Sequence, residues 1–122
     1  MSGYLTTHVL DTAQGCPASG MQIELYRIDG KQRMQSCSVM TNADGRTNRP
    51  VLSEEDFTTG VYELVFYAGP YFNAAGLAFD GLTKADVGFF DVIPIRFGMS
   101  MPRHYHVPLL LSPFGYSTYR GS

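Results

Sequence analysis

Met21-Gln22-Ile23-Glu24-Leu25-Tyr26-Arg27-Ile28 carries the fold in miniature. Met21, Ile23 and Leu25 fall on one side of an extended chain, with Gln22, Glu24 and Tyr26 on the other, the period of a half-buried strand. Asp29-Gly30 follows as a tight hairpin turn. Residues 33–41 return as a second strand, closed by Asn42-Ala43-Asp44-Gly45. Upstream, residues 4–11 alternate as a strand, and residues 12–20, punctuated by two Gly and a Pro, form a loop.

Downstream, residues 46–52 suit a short edge strand because of Pro50. Residues 53–57 suit one helical turn with Ser53 as N-cap. Residues 61–67 form a strand with Tyr62, Leu64 and Phe66 on one face. Residues 69–76 read as a short helix, with Pro70 at its first position and Gly76 at its C-cap. Residues 77–88 are weakly patterned and read as a loop. Residues 89–97 form a strand whose Pro94 calls for an edge or a bulge, and strands at 105–111 and 116–119 complete the chain. About eight short strands and at most two helical turns predict an all-β sandwich or barrel. Val107-Pro108-Leu109-Leu110-Leu111 is apolar on both faces, which predicts core on one side and a second subunit on the other.

A chain of 122 residues bounds the fold to one domain, 1–122. Apolar residues make up 44% and charged residues only 16%, against about 25% charged in an average globular chain. This excludes a disordered tail and predicts that other subunits cover part of the surface. Nine Lys+Arg against eleven Asp+Glu leave a net charge of −2 with no basic cluster, which argues against a nucleic-acid partner. No apolar run approaches the roughly 18–20 residues of a membrane span. The first residues lack the basic and apolar regions of a secretory signal. Cys16 and Cys37 lie far apart in no metal or redox spacing, which predicts reduced thiols and a cytoplasmic protein.

The chemistry-bearing residues are few. His8 lies in the first strand, and His104 and His106 open the seventh, two apart and hence on one face. Three imidazoles can hold zinc, can exchange protons near neutral pH, or can simply be polar strand residues. Arg46 directly follows the turn at Asn42-Ala43-Asp44-Gly45. Its guanidinium fork suits planar carboxylate, imide or urea edges, unless it is a solvated loop arginine paired with Asp44. An aromatic-rich strand runs almost to Tyr119-Arg120-Gly121-Ser122, so the end of the chain is expected to be placed rather than ragged. Nucleophile elbows, phosphate-cradling Gly-rich loops and paired-carboxylate signatures do not occur.

Four stretches together resemble the 5-hydroxyisourate hydrolases, also called transthyretin-like proteins. They are Leu5-Thr6-Thr7-His8-Val9-Leu10-Asp11 with Gly15-Cys16-Pro17-Ala18; Thr41-Asn42-Ala43-Asp44-Gly45-Arg46; His104-Tyr105-His106-Val107-Pro108-Leu109-Leu110; and Tyr119-Arg120-Gly121-Ser122. The last resembles the enzyme branch and is lacking in the hormone-carrying transthyretins. The resemblance implies an immunoglobulin-like, transthyretin-like sandwich of two four-stranded sheets with one short helix. It also implies a homotetramer, a dimer of dimers, with active sites in clefts where dimers meet. By position, His8, Arg46 and His106 resemble the catalytic trio. Tyr119 and Ser122 line the same site as substrate contacts, with His104 beside them. The implied reaction is hydrolysis of 5-hydroxyisourate to 2-oxo-4-hydroxy-4-carboxy-5-ureidoimidazoline in urate degradation, with no metal and no cofactor. The alternative within the same fold is a carrier of an aromatic ligand in the channel between dimers.

Overall fold

A computed structural model describes residues 3–76 and 88–122. Its strands are β1 (Tyr4–Asp11), β2 (Cys16–Pro17), β3 (Gln22–Asp29), β4 (Gln32–Met40), β5 (Gly60–Tyr67), β6 (Val92–Met99), β7 (His104–Ser112) and β8 (Gly115–Thr118). One helix, α1 (Ala68–Ala74), follows β5. They form two four-stranded sheets, ordered β2-β1-β7-β8 and β4-β3-β5-β6. Alternation explains why the sheets face each other. Leu5 and Val9 of β1, with Val107, Leu109 and Leu111 of β7, bury one face of the first sheet. Ile23, Leu25, Tyr62, Leu64 and Phe66 bury one face of the second, and all ten belong to one apolar core. Removing such side chains from water contributes about 1.5–3 kcal/mol each, which drives the two faces together.

Several expectations need correction. The segment 46–52 is not a strand: only Leu52 pairs, in a single bridge with Leu5, and the eighth strand is instead the short β2 inside the expected loop. Pro50 has no N–H for a ladder, and the buried Val51 and Leu52 hold the segment by packing rather than by pairing. Residues 54–56 make a turn, not a helical turn, closed by Asp56 N–H donating to Ser53 O at 3.2 Å. Helix α1 starts earlier than expected, so Pro70 is its third residue, while Gly76 follows the C-cap Ala75 with φ 76°. The strand expected over 89–97 begins at Val92 and runs to Met99, and Pro94 lies on β6 at a sheet edge, where its missing N–H costs no ladder bond. The loop expected over 77–88 lies, except for Gly88, outside the described residues.

Two polar clusters, each centred on a buried carboxylate, brace the sheets. Asp11, fully buried at the end of β1, accepts hydrogen bonds from Gln14 N–H (2.9 Å), Gln14 Nε2 (2.7 Å) and the Tyr71 hydroxyl of α1 (2.7 Å). Burial opposes ionisation of this carboxyl, but those donors outweigh it and hold its pKa below the ordinary value. Across the outer face of the second sheet, Glu63 takes Arg33 and Arg96 at 3.1 Å each, so β4, β5 and β6 are tied through one carboxylate. Both cysteines are free thiols.

Candidate active site

The ladder between β1 and β7 is parallel, and it decides the site. In-register neighbours on one face are Tyr4 with His104, Thr6 with His106, His8 with Pro108 and Leu10 with Leu110. Their alternating partners, Leu5, Thr7, Val9 and Asp11, are buried. The polar set therefore lies on the outer face of the sheet, away from the core. Tyr4 stacks on the His104 ring at a centroid distance of 4.1 Å and 4° between planes. The Thr6 hydroxyl lies 2.7 Å from His104 Nε2 and 2.8 Å from His106 Nδ1. His8 is one ladder step beyond Thr6 on the same face.

Arg46 is aimed by its turn. Asn42 closes a local ring: its side-chain oxygen accepts from Asp44 N–H (2.9 Å) and Arg46 N–H (3.2 Å), and its own N–H donates to Arg46 O (2.7 Å). Gly45 has φ 73°, a left-handed conformation that favours glycine, and a Cβ there would strike the Val9 carbonyl oxygen. Val9 N–H in turn donates to Gly45 O at 2.8 Å, fastening the turn to β1. Asp44 and Arg46 form no ion pair, so among the described residues this guanidinium is free of a carboxylate partner.

The end of the chain supplies the third wall. Gly121 N–H donates to His106 O at 2.7 Å, forming an isolated bridge with β7. That contact is so close that a Cβ on Gly121 would sit 2.7 Å from His106 Cδ2. Arg46, Arg49, His104, His106, Thr6 and Ser122 thus border one open cleft of about 420 Å³. Tyr119 is kept apart: it is 60% exposed and lines a neighbouring apolar cleft with Ile95, Phe97 and Val107. Among the described residues, no three His, Cys, Asp or Glu side chains are grouped to hold a metal ion, so a three-histidine zinc set is not assembled there.

The electrostatics favour a neutral base. Partial burial, then electrostatic interaction with Arg46 and, after it, with the His104 and His8 rings, pushes the His106 pKa below its ordinary value. An imidazole that stays neutral near pH 7 can accept a proton, and a guanidinium beside it can hold a planar anion. Spacing alone indicates that His104 and His106 share a face, but Thr6, Arg49 and Gly121 escape that reading. Thr6 joins them through a parallel pairing of strands about a hundred residues apart, Arg49 through the irregular segment after Arg46, and Gly121 through an isolated antiparallel bridge to His106, none of which a local pattern reveals.

The model of the HIUase/transthyretin family matches residues 5–121. The chain belongs to that family. It is 54% identical to 5-hydroxyisourate hydrolase 2 of Rhizobium meliloti over 122 residues, covering 99% of this chain and 98% of that one. Among solved structures it resembles the Klebsiella pneumoniae 5-hydroxyisourate hydrolase, with TM-score 0.76 and 32% identity, covering 98% and 94% of the two chains. It also resembles an (S)-allantoin synthase, with TM-score 0.87 and 45% identity, covering 99% of this chain but 44% of that one. Among the described residues the chain is a transthyretin-like sandwich of two four-stranded sheets with one short helix. No helix among the described residues is long and apolar enough to cross a membrane.

Proposed function

We propose that this chain, as one transthyretin-like domain spanning 1–122, hydrolyses 5-hydroxyisourate to 2-oxo-4-hydroxy-4-carboxy-5-ureidoimidazoline. The observation that carries the reading is the convergence of His104, His106, Arg46 and Ser122 on one cleft, in a member of the HIUase/transthyretin family. A cationic, imidazole-bearing lining suits a small, flat, partly anionic oxidised purine better than a large apolar ligand.

His106 acts as the neutral base: its imidazole takes a proton from water as the water oxygen bonds to a ring carbonyl carbon. Arg46 holds the ring and stabilises the oxygen that becomes negative, an effect worth about 2.7–4 kcal/mol for a well-placed donor. When the carbon–nitrogen bond breaks, the departing ring nitrogen takes the proton back from the imidazolium, and the former carbonyl carbon, still part of the opened product, is a carboxylic acid that gives its remaining proton to solvent and becomes a carboxylate. His8, one step along the ladder, supports His106 in this exchange, and Ser122 with His104 orients the substrate. The chain works as a homotetramer, a dimer of dimers. Supporting this, Leu10 and Leu110 pair on the outer face of the first sheet and are each only half-buried in the single chain, which leaves apolar surface there for a second copy to cover. The proposed contact of Tyr119 with substrate requires that assembly, because the single chain holds its ring over the other cleft. The two free thiols suit a reducing cytoplasm.

The test follows ultraviolet absorbance of 5-hydroxyisourate made fresh from urate and urate oxidase, with and without the protein. Faster decay than the spontaneous rate is expected. His106→Ala and Arg46→Ala are each expected to remove at least about 99% of that acceleration. An unchanged decay rate with the wild-type protein overturns the reading.

A further inference from the structure

Thr6 is the only side chain that touches both cleft imidazoles among the described residues, through one oxygen. A threonine hydroxyl has one hydrogen to donate and two lone pairs to accept with. A neutral imidazole carries one N–H and one bare nitrogen. The two short contacts therefore cannot both be donations from Thr6: at least one histidine must present an N–H to it. That constraint couples the tautomers of His104 and His106.

His106 Nδ1 is committed to Thr6, and no other hydrogen bond to this ring occurs among the described residues. No buried side-chain nitrogen or oxygen lacks a partner there, so the unbonded Nε2 is open to the cleft that His106 lines. Only two neutral arrangements run through Thr6 as a chain. In one, His106 Nδ1–H donates to Thr6 and Thr6 donates to His104 Nε2, leaving His106 Nε2 bare. In the other, the chain runs backwards, and His106 Nε2 already carries its proton and cannot take one from water. The first also survives the reaction unchanged, because the imidazolium keeps Nδ1–H on Thr6 while Nε2 gains and returns a proton. The β-branched Thr6 side chain has few rotamers on a strand, and the Tyr4 stack fixes the His104 plane, so the chain is held rigidly.

We propose that Thr6 is a positioning residue that locks His106 in its Nδ1–H tautomer, with His104 as the terminal acceptor. The inference rests on His106 being the base of the proposed hydrolysis. It gives His104 a part as well: its role is to receive the single Thr6 hydrogen, so that this hydrogen is not available to His106 Nδ1 and Thr6 meets that nitrogen only as an acceptor.

The test compares Thr6→Val, which keeps the β-branched shape but removes the hydroxyl, with Thr6→Ser, which restores it. ¹⁵N NMR of the histidine side chains reads the tautomers, with His106→Gln used for assignment. In the wild type near neutral pH, His106 is expected to be protonated at Nδ1 and bare at Nε2. Thr6→Val is expected to move His106 toward a mixture of tautomers and to lower kcat by about tenfold or more, with KM within about twofold. Thr6→Ser is expected to return both the tautomer and most of kcat. A wild-type His106 protonated at Nε2 alone overturns the proposal without any variant. So does a Thr6→Val protein whose kcat or His106 signature is unchanged, or a loss in Thr6→Val that Thr6→Ser fails to restore. The two readings separate through His106→Ala. If that variant is inactive while Thr6→Val is fully active, only the relay fails. If His106→Ala is fully active, the base assignment itself fails.

Discussion

Gly121→Ala tests whether the close approach of the chain end to His106 is part of the site. The added Cβ would lie 2.7 Å from His106 Cδ2 and 3.4 Å from both its Cγ and its backbone oxygen. Carbon atoms normally approach to about 3.5–4.0 Å, so ring and tail must separate by about 1 Å. The tail is also tied to β7 through the Gly121 N–H bond to His106 O, so part of that shift must be taken by the imidazole. A displacement of about 1 Å in a reacting group can cost on the order of 10²-fold, or about 2.7 kcal/mol. The expected result is a fall of about that size in kcat/KM for 5-hydroxyisourate, followed by absorbance. The melting temperature should shift by only about a few degrees, because a single bridge is disturbed. Gly115→Ala is the matched control: its Cβ would meet Ser112 Oγ at 3.7 Å, an ordinary contact, and activity should be unchanged. Wild-type kcat/KM in Gly121→Ala, with the His106 ring resonances also unmoved, would refute the reasoning.

Three further outcomes are expected. Gly45→Ala forces a side chain onto the Val9 carbonyl at φ 73°; it should lower stability by about 1–3 kcal/mol in urea unfolding and weaken activity by displacing Arg46, and an unchanged unfolding midpoint would contradict the strained-turn argument. Because burial and nearby cations lower the His106 pKa, the acidic limb of kcat/KM should have its midpoint below 6.5, and removing one of those cations in Arg46→Ala should raise the pKa of His106 followed by NMR titration; a downward shift would show that the sign is wrong. Asp11→Asn or Tyr71→Phe should each cost about 1–3 kcal/mol near pH 7, and the Asp11 contribution, present above its unfolded pKa of about 3.9, should fade as pH falls through its lower folded value, so equal losses at pH 7 and pH 2 would count against it.

Local alternation determined most of the strands, because a side chain's face on an extended chain depends only on its parity. That is why Tyr4–Asp11 and the Met21–Leu25 core face are legible without any structure, and why His104 and His106 can be placed on one side of one strand. The Asn42–Arg46 turn is likewise local: it is written in Asn42, which caps its own neighbourhood, and in Gly45, which alone tolerates the required backbone. Parity does not say which strands pair, in which direction or in what register. Packing of the two sheets chose β1 beside β7 in parallel, and that choice set Thr6 between two imidazoles and His8 one step away. Burial of Val51 and Leu52 likewise overrode the strand-like appearance of the segment after Arg46, and left it free to wall the cleft. Residues far apart in sequence meet only when the apolar faces have closed, so the chemistry of the cleft is a property of that closure.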